Sequence, residues 1–142
     1  MHINKNGIRI HDKSSFTGMR NAGSLAASIL DTIGELVVPG KSTEEIDIAI
    51  NKIIEKANAK SATIGYRGYK HASCISLNHV VCHGIPSTKI IKNGDIINID
   101  VTVIVDGWYG DTSRMYAVGA LNRKAERLIK ITHDALFKGI EK

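Results

Sequence analysis

Cysteine is scarce: only Cys74 and Cys82 occur among 142 residues. That number rules out a small disulfide-stapled scaffold. The two fall on one strand-like stretch at a spacing that cannot readily bridge, so reduced thiols in a cytosolic protein are expected. Long apolar runs are missing as well. No stretch approaches the ~20 residues that span a bilayer, and Met1 to Asn6 lack the apolar segment of a secretory signal, so no membrane association is expected. There is no short internal repeat and no low-complexity segment. No Gly-x-Ser-x-Gly elbow and no phosphate-loop spacing occur, which removes the serine-hydrolase and nucleotide-loop signatures.

What is present describes a chain that folds around a core. Hydrophobic residues make up 43% and charged residues 23%, too apolar for disorder and ordinary for a globular protein. Nineteen Lys and Arg stand against 14 Asp and Glu, a net charge of +5. The basic residues are scattered over helices and turns, so they read as a solvated surface, not as a specific nucleic-acid site. The length suits one ordinary domain.

Periodicity then divides the chain. Phe16, Met19, Ala22, Ala26, Ile29, Ile33 and Leu36 recur at helical steps, predicting a helix from Ser15 to about Leu36. Val38-Pro39-Gly40 stops it. Ser42 and Glu45 form a capping-box pattern opening a second helix with Ile46, Ala49, Ile50, Ile53, Ile54 and Ala57 on its apolar side. A Gly- and Tyr-rich connection follows, Gly65-Tyr66-Arg67-Gly68-Tyr69. Strands are expected at Ala72 to Val81, Ile96 to Val105 and Trp108 to Val118, and Lys92-Asn93-Gly94-Asp95 reads as a turn. A last helix runs from about Asn122, with Ala125, Leu128, Ile129, Ala135, Leu136 and Ile140 apolar. Helices and antiparallel strands are segregated, which places the chain in the α+β class.

The chemistry concentrates in Ile97-Asn98-Ile99-Asp100-Val101-Thr102-Val103. Asn98, Asp100 and Thr102 share one face of a strand, and the aliphatic residues share the other. Asp106-Gly107 is a strong hairpin signal. A two-residue turn there pairs Val105 with Trp108, Asp100 with Ser113 and Thr102 with Asp111. Asp100 and Asp111 then lie on one face as diagonal neighbours, about 7 Å or less between Cβ atoms. Carboxylates so close need a cation, a shared proton or full solvation. A solvated strand face and a divalent-metal site both satisfy that, and oxygen donors alone favour Mg, Ca or Mn over Zn.

His83 follows a strand and precedes Gly-Ile-Pro, at a loop mouth suited to contacting a substrate carbonyl or a metal, or to plain solvent exposure. Alternation allows His79 the same face as His83, but it reads as a structural or exposed residue. Cys74 has no evident activating base, so it reads as a small apolar wall residue, not a nucleophile. Tyr66 and Tyr69 either line an apolar pocket or cap the core. His2, His11, His71 and His133 carry no role.

The stretches Gly65-Tyr66-Arg67-Gly68-Tyr69, Cys74-Ile75-Ser76-Leu77-Asn78, Val81-Cys82-His83-Gly84-Ile85-Pro86, Asn93 to Val101 and Gly110-Asp111-Thr112-Ser113 together resemble the type I methionine aminopeptidases, as does Met19-Arg20-Asn21-Ala22-Gly23 in the first helix. The resemblance implies the N-terminal half of a pita-bread fold with two pseudo-symmetric halves. It implies removal of the initiator methionine from nascent polypeptides; a cytoplasmic enzyme that is a monomer when complete is expected, and the basic surface suggests proximity to the ribosome. Two divalent metal ions per complete site are implied, with Co, Mn, Fe and Zn not distinguished. On the same ground Asp100 and Asp111 are metal ligands, Asp111 bridging, and His83 contacts the substrate and stabilises the transition state. Tyr66, Tyr69 and Cys74 surround the methionine side chain. Two positions depart from the family pattern: His79 stands where an acidic residue is usual and Lys70 where proline is common. The family's remaining ligands, one histidine and two glutamates, have no counterpart here. Residues 1–142 therefore read as a partial domain ending in the helix that opens the second half.

Overall fold

A computed structural model describes residues 2–142 of the chain; Met1 lies outside them. It opens on a short hairpin, β1 (His2–Ile3) with β2 (Arg9–Ile10). Asn4 turns it, its side-chain oxygen accepting from the N–H groups of Asn6 (3.0 Å) and Ile8 (2.9 Å). Two-residue strands carry no periodicity, and the sequence reading contains no hint of them.

Helix α1 (Lys13–Ile33) starts two residues earlier than periodicity places it. The reason is Asp12, whose carboxylate accepts from the N–H groups of Ser14 (3.0 Å) and Ser15 (3.1 Å) and so satisfies two orphan donors. The helix gives way to a 3-10 turn at Gly34–Leu36. Ala22, Ala26, Ile29 and Ile33 are buried as the stripe predicts, while Phe16, Met19 and Leu36 at its ends are exposed. Helix α2 (Thr43–Lys56) carries the full capping box. The Glu45 N–H donates to the Ser42 hydroxyl (3.1 Å) and the Ser42 N–H to the Glu45 carboxylate (2.8 Å). Ile46, Ile50 and Ile54 pack against Ile29, Leu30 and Ile33 and against the sheet residues Ile97, Ile99, Val101 and Val103 in one core. Each such side chain, fully buried, stabilises the fold by roughly 1.5–3 kcal/mol.

The sheet is built around one long strand. After β3 (Lys60–Ser61) and β4 (Ser73–Leu77) come β5 (Ile96–Val105) and β6 (Trp108–Ala117). β6 pairs with β5 along its whole length. The other edge of β5 is shared: β4 pairs with Ile97 to Val101, and β3 with Val103 and Ile104. Residues 62–72 therefore leave the sheet between two pairings on the same strand edge. This excursion carries the Gly- and Tyr-rich connection, with Gly65, Arg67 and Gly68 all in the left-handed region.

One face of the sheet is closed by α1. The Arg114 guanidinium meets Asp31 at 2.6 Å, and the Tyr116 hydroxyl donates to the Leu30 carbonyl at 2.6 Å. At Gly110 the strand lies so close to the helix that a Cβ would strike the Ala22 carbonyl. The opposite face carries Asn98, Asp100, Thr102, Tyr109 and Asp111.

One expectation is corrected. The strand expected to reach Val81 ends at Leu77, because Asn78 adopts a left-handed conformation (φ 55°) and its side chain bridges to the Asp95 carboxylate and the Ile96 N–H. Cys82 accordingly lies off the strand that holds Cys74, and His79 and His83 sit in a loop where strand alternation does not apply. Helix α3 (Arg123–Ile140), capped by Asn122, forms as expected, and none of its residues is buried. Leu128, Leu136 and Ile140 are 53%, 60% and 67% exposed. Ala125 and Ile129 are partly covered, and among the described residues nothing buries the rest of its apolar side.

Candidate functional site

The β5–β6 turn settles the relation between the two aspartates. Asp106 (φ 49°) and Gly107 (φ 83°) are both left-handed, the pattern of a two-residue turn whose twist suits a hairpin. Val105 pairs with Trp108, Thr102 with Asp111 and Asp100 with Ser113, the register the turn predicts. Asp100 and Asp111 share the face turned away from α1. The Thr102 hydroxyl donates to Asp111 Oδ1 at 3.0 Å. Burial lifts the Asp100 carboxyl above its ordinary pKa, and the neighbouring Asp111 charge and a hydrogen bond between the two carboxyls lift it further, while His83 pulls it down.

Beside this pair lies a cavity of about 680 Å³ lined by Thr63, Tyr66, Tyr69, Cys74, His83 and Thr102, with Arg67, Ile85 and Tyr109 at its walls. Four residues singled out in the sequence, Tyr66, Tyr69, Cys74 and His83, thus come together. Asp100 and Asp111 are not in the lining. They border it through two neighbours, since Cys74 pairs with Asp100 across β4 and β5, and Thr102 holds Asp111. The excursion 62–72 supplies the tyrosines. The Tyr69 hydroxyl donates to the Ser73 carbonyl at 2.9 Å, and its pKa is raised by burial and by contact with Cys74. Burial also raises the Cys74 thiol, opposed by its hydrogen bond with Tyr69 and reinforced by the Asp100 charge. Cys74 is thus a protonated wall residue with no activating base.

His83 arrives by a different route. Beyond Asn78 the chain folds back along β4, where the Ile75 N–H donates to the Gly84 carbonyl (2.8 Å) and the Gly84 N–H to the Ser76 hydroxyl (3.0 Å). A Cβ at Gly84 would strike the Ile75 carbonyl, so only glycine permits this approach. His83, immediately before it, is left-handed (φ 54°), uncommon for a residue with a side chain. His79 is exposed and lines none of this cavity.

The donor set suits a divalent cation in part. Two carboxyls in contact, one of them pushed toward protonation by burial and by its neighbour, are relieved by a hard cation between them. Yet among the described residues no group of three or more His, Cys, Asp or Glu side chains is placed to hold a metal. The structure also gives a part to residues that the sequence reading left without a role. Thr102 is one. Asp47 is another, a buried carboxylate on α2 bonded to Ser73 and His71. Its place among Ile46, Ile50 and Ile54 is the signal that could have revealed it, because a carboxylate inside a buried stripe must find partners.

The chain is similar over most of its length to known proteins. It is 53% identical over 134 residues to the methionine aminopeptidase of Rickettsia prowazekii (strain Madrid E), covering 94% of this chain and 52% of that protein. It is 49% identical over 132 residues to the methionine aminopeptidase of Escherichia coli (strain K12), covering 92% and 50%. The chain thus spans about half the length of these curated relatives. The crystal structure of the Rickettsia prowazekii methionine aminopeptidase superimposes with a TM-score of 0.92 at 53% identity, covering 94% of this chain and 54% of that one. An Xaa-Pro dipeptidase from Bacillus anthracis, 23% identical with a TM-score of 0.80 over 92% of this chain and 35% of that one, shares the fold alone. These likenesses identify the helices and antiparallel sheet as part of the α+β pita-bread fold. The signature of metallopeptidase family M24 matches residues 17–142, and the chain belongs to that family.

Proposed function

We propose that this chain is the N-terminal part of a metal-dependent methionine aminopeptidase that removes the initiator methionine from nascent polypeptides. The observation that carries the reading is the Asp100–Asp111 pair at the edge of a cavity walled by Tyr66, Tyr69, Cys74 and His83. The similarity to named methionine aminopeptidases supports it.

In this reading Asp100 and Asp111 would supply ligands to two divalent ions, with Co, Mn, Fe and Zn all compatible. Such ions polarise the scissile carbonyl and activate water when bound. The chain's own residues do the rest. Tyr66 and Tyr69 enclose the methionine side chain, and the neutral Cys74 sulfur offers it a soft apolar contact. His83 hydrogen-bonds the substrate beside the reacting carbonyl. Thr102 fixes the Asp111 carboxylate. The face of the sheet bearing Asp100 and the apolar side of α3 seat the remainder of the enzyme, which supplies the missing histidine and two glutamates. The complete enzyme works as a monomer in the cytoplasm, near the ribosome. No described helix is long and apolar enough to cross a membrane.

The test is release of methionine from a Met-Gly-type peptide. In the complete enzyme Asp111→Asn abolishes metal-dependent release, and unchanged activity would overturn the ligand assignment. The 142-residue chain alone releases none with Co, Mn or Fe supplied; turnover by the rigorously purified chain would overturn its incompleteness. The lack of a third donor among the described residues favours one second reading, a module that binds peptide N-termini without cleaving them. Peptide binding without turnover, in a protein whose coding sequence stops at Lys142, would select it.

A further inference from the structure

Asp47 is the one acidic residue buried in the core-facing side of α2, 6% exposed. A carboxylate in that position requires strong partners, and both its oxygens have them. Oδ1 accepts from the Ser73 N–H (2.9 Å) and the Ser73 hydroxyl (2.6 Å). Oδ2 lies 3.2 Å from His71 Nδ1. Each branch continues to Tyr69. Through Ser73, whose side chain is held by Asp47, the carbonyl of the same residue receives the Tyr69 hydroxyl at 2.9 Å. Through His71, an imidazole edge meets the Tyr69 ring with centroids 5.5 Å apart at 65°. The Thr63 hydroxyl, also in the cavity wall, donates to the His71 carbonyl at 2.7 Å.

This arrangement matters because of what surrounds it. Tyr69 sits at the end of the excursion 62–72, a segment outside the sheet with three left-handed residues. Its own hydrogen bonds close local turns: the Gly65 N–H donates to the Tyr69 carbonyl, and the Tyr69 N–H to the Tyr66 carbonyl. Those bonds shape the loop but do not fix it to the body of the protein. Asp47, 22 residues away on a core helix, supplies that attachment. Satisfying the buried carboxylate needs Ser73 alone for one oxygen. The His71 branch adds a side chain that is one-quarter exposed (25%) and that meets the aromatic wall of the cavity.

We propose that Asp47 and His71 are positioning residues for the Tyr69 wall, setting how closely the cavity fits an unbranched thioether side chain. The proposal rests on the reading that this cavity receives the substrate's methionine. Asp47 acts by orienting the imidazole and by fixing Ser73; neither residue lines the cavity.

The test uses the 142-residue chain with tyrosine labelled at the ring carbon bearing the hydroxyl, the Tyr69 resonance being assigned with Tyr69→Phe. L-methioninamide and L-alaninamide serve as ligands. In His71→Ala and Asp47→Ala the Tyr69 resonance shifts, and the preference for methioninamide over alaninamide falls about tenfold, the scale of discrimination that a well-fitted apolar wall provides. Asp47→Asn keeps an acceptor for Ser73 and places an amide against His71, so it retains both properties near the wild-type values. If Asp47→Ala does not fold, His71→Ala and Asp47→Asn decide the matter. An unmoved Tyr69 resonance with unchanged preference in His71→Ala would overturn the proposal, as would loss of both properties in Asp47→Asn with the circular dichroism unchanged. Should the wild-type chain itself show no preference for methioninamide, the reading of the cavity fails. In that case a Tyr69 resonance that moves in His71→Ala upholds the positioning, and an unmoved one overturns it.

Discussion

Thr102 and Asp111 face each other across the β5–β6 hairpin, and the threonine hydroxyl donates to the carboxylate at 3.0 Å. The bond occupies Oδ1 and orients the carboxyl group beside Asp100. A hydroxyl that lines the cavity thus also holds a proposed ligand, linking the wall that would bind substrate to the pair that would bind metal.

Thr102→Val keeps the shape of the strand residue and removes the donor. In the complete enzyme we expect divalent-cation affinity to fall by about tenfold, the usual effect of losing a partner that orients a ligand. Isothermal titration with manganese measures it, and an unchanged affinity would show that the hairpin alone orients Asp111.

Asp100 makes stability depend on pH. Its folded-state pKa is raised, chiefly by burial and next by Asp111. Its contribution to stability is therefore fully present below the ordinary carboxylate pKa and is lost as pH rises through the folded-state value. In metal-free buffer Asp100→Asn should raise the Tm at pH 7, and the gain should vanish in acid below the ordinary aspartate range. With saturating manganese at neutral pH the sign reverses if Asp100 is a ligand, because the cation stabilises the folded wild type. Thermal melts at several pH values, with and without metal, separate these cases.

The two thiols should react at different rates. Cys82 is exposed, and Cys74 is half-buried with its pKa raised by burial. At neutral pH Cys74 holds less of the nucleophilic thiolate, so iodoacetamide should label it at least about tenfold more slowly than Cys82. Peptide mapping by mass spectrometry reads both rates. Equal rates would mean that the wall around Cys74 opens readily.

Two glycines where β6 meets α1 should respond in opposite ways. A Cβ at Gly110 strikes the α1 backbone at Ala22, whereas one at Gly23 on α1 meets nothing within 4 Å. Gly110→Ala should cost about 1–3 kcal/mol by overpacking. Gly23→Ala should stabilise by about 0.5–1 kcal/mol, because a helix interior favours alanine. Urea denaturation of the two variants gives both values.

Local signals carried much of this fold. The Ser42–Glu45 capping box places α2, and Asp106-Gly107 fixes the β5–β6 register, hence the shared face of Asp100 and Asp111. Each depends on residues only a few positions apart. The misread features lack that locality or turn on a single backbone conformation. Nothing in the alternation around Ser73 to Val81 signals that Asn78 turns left-handed and ends β4 early. Asp47, His71 and Ser73 meet from positions 24 and 26 residues apart. The stripe on α3 predicts a helix correctly, yet periodicity cannot say whether the chain at hand covers it. The roles given to the site residues came from motif resemblance; local geometry supplied only the carboxylate pair.

Because β3 and β4 pair with successive stretches of one edge of β5, the segment between them is spliced into the sheet at two anchored points, with the Ala62 N–H also donating to the Thr102 carbonyl at 2.9 Å. Its length and composition can change while the register of β5, and with it the carboxylate pair, stays fixed. In the proposed enzyme, substrate preference and hydrolytic chemistry would in this way be separable inheritances: a loop graft between Ser61 and Ser73 would retune what enters the cavity while the carboxylate pair keeps its register.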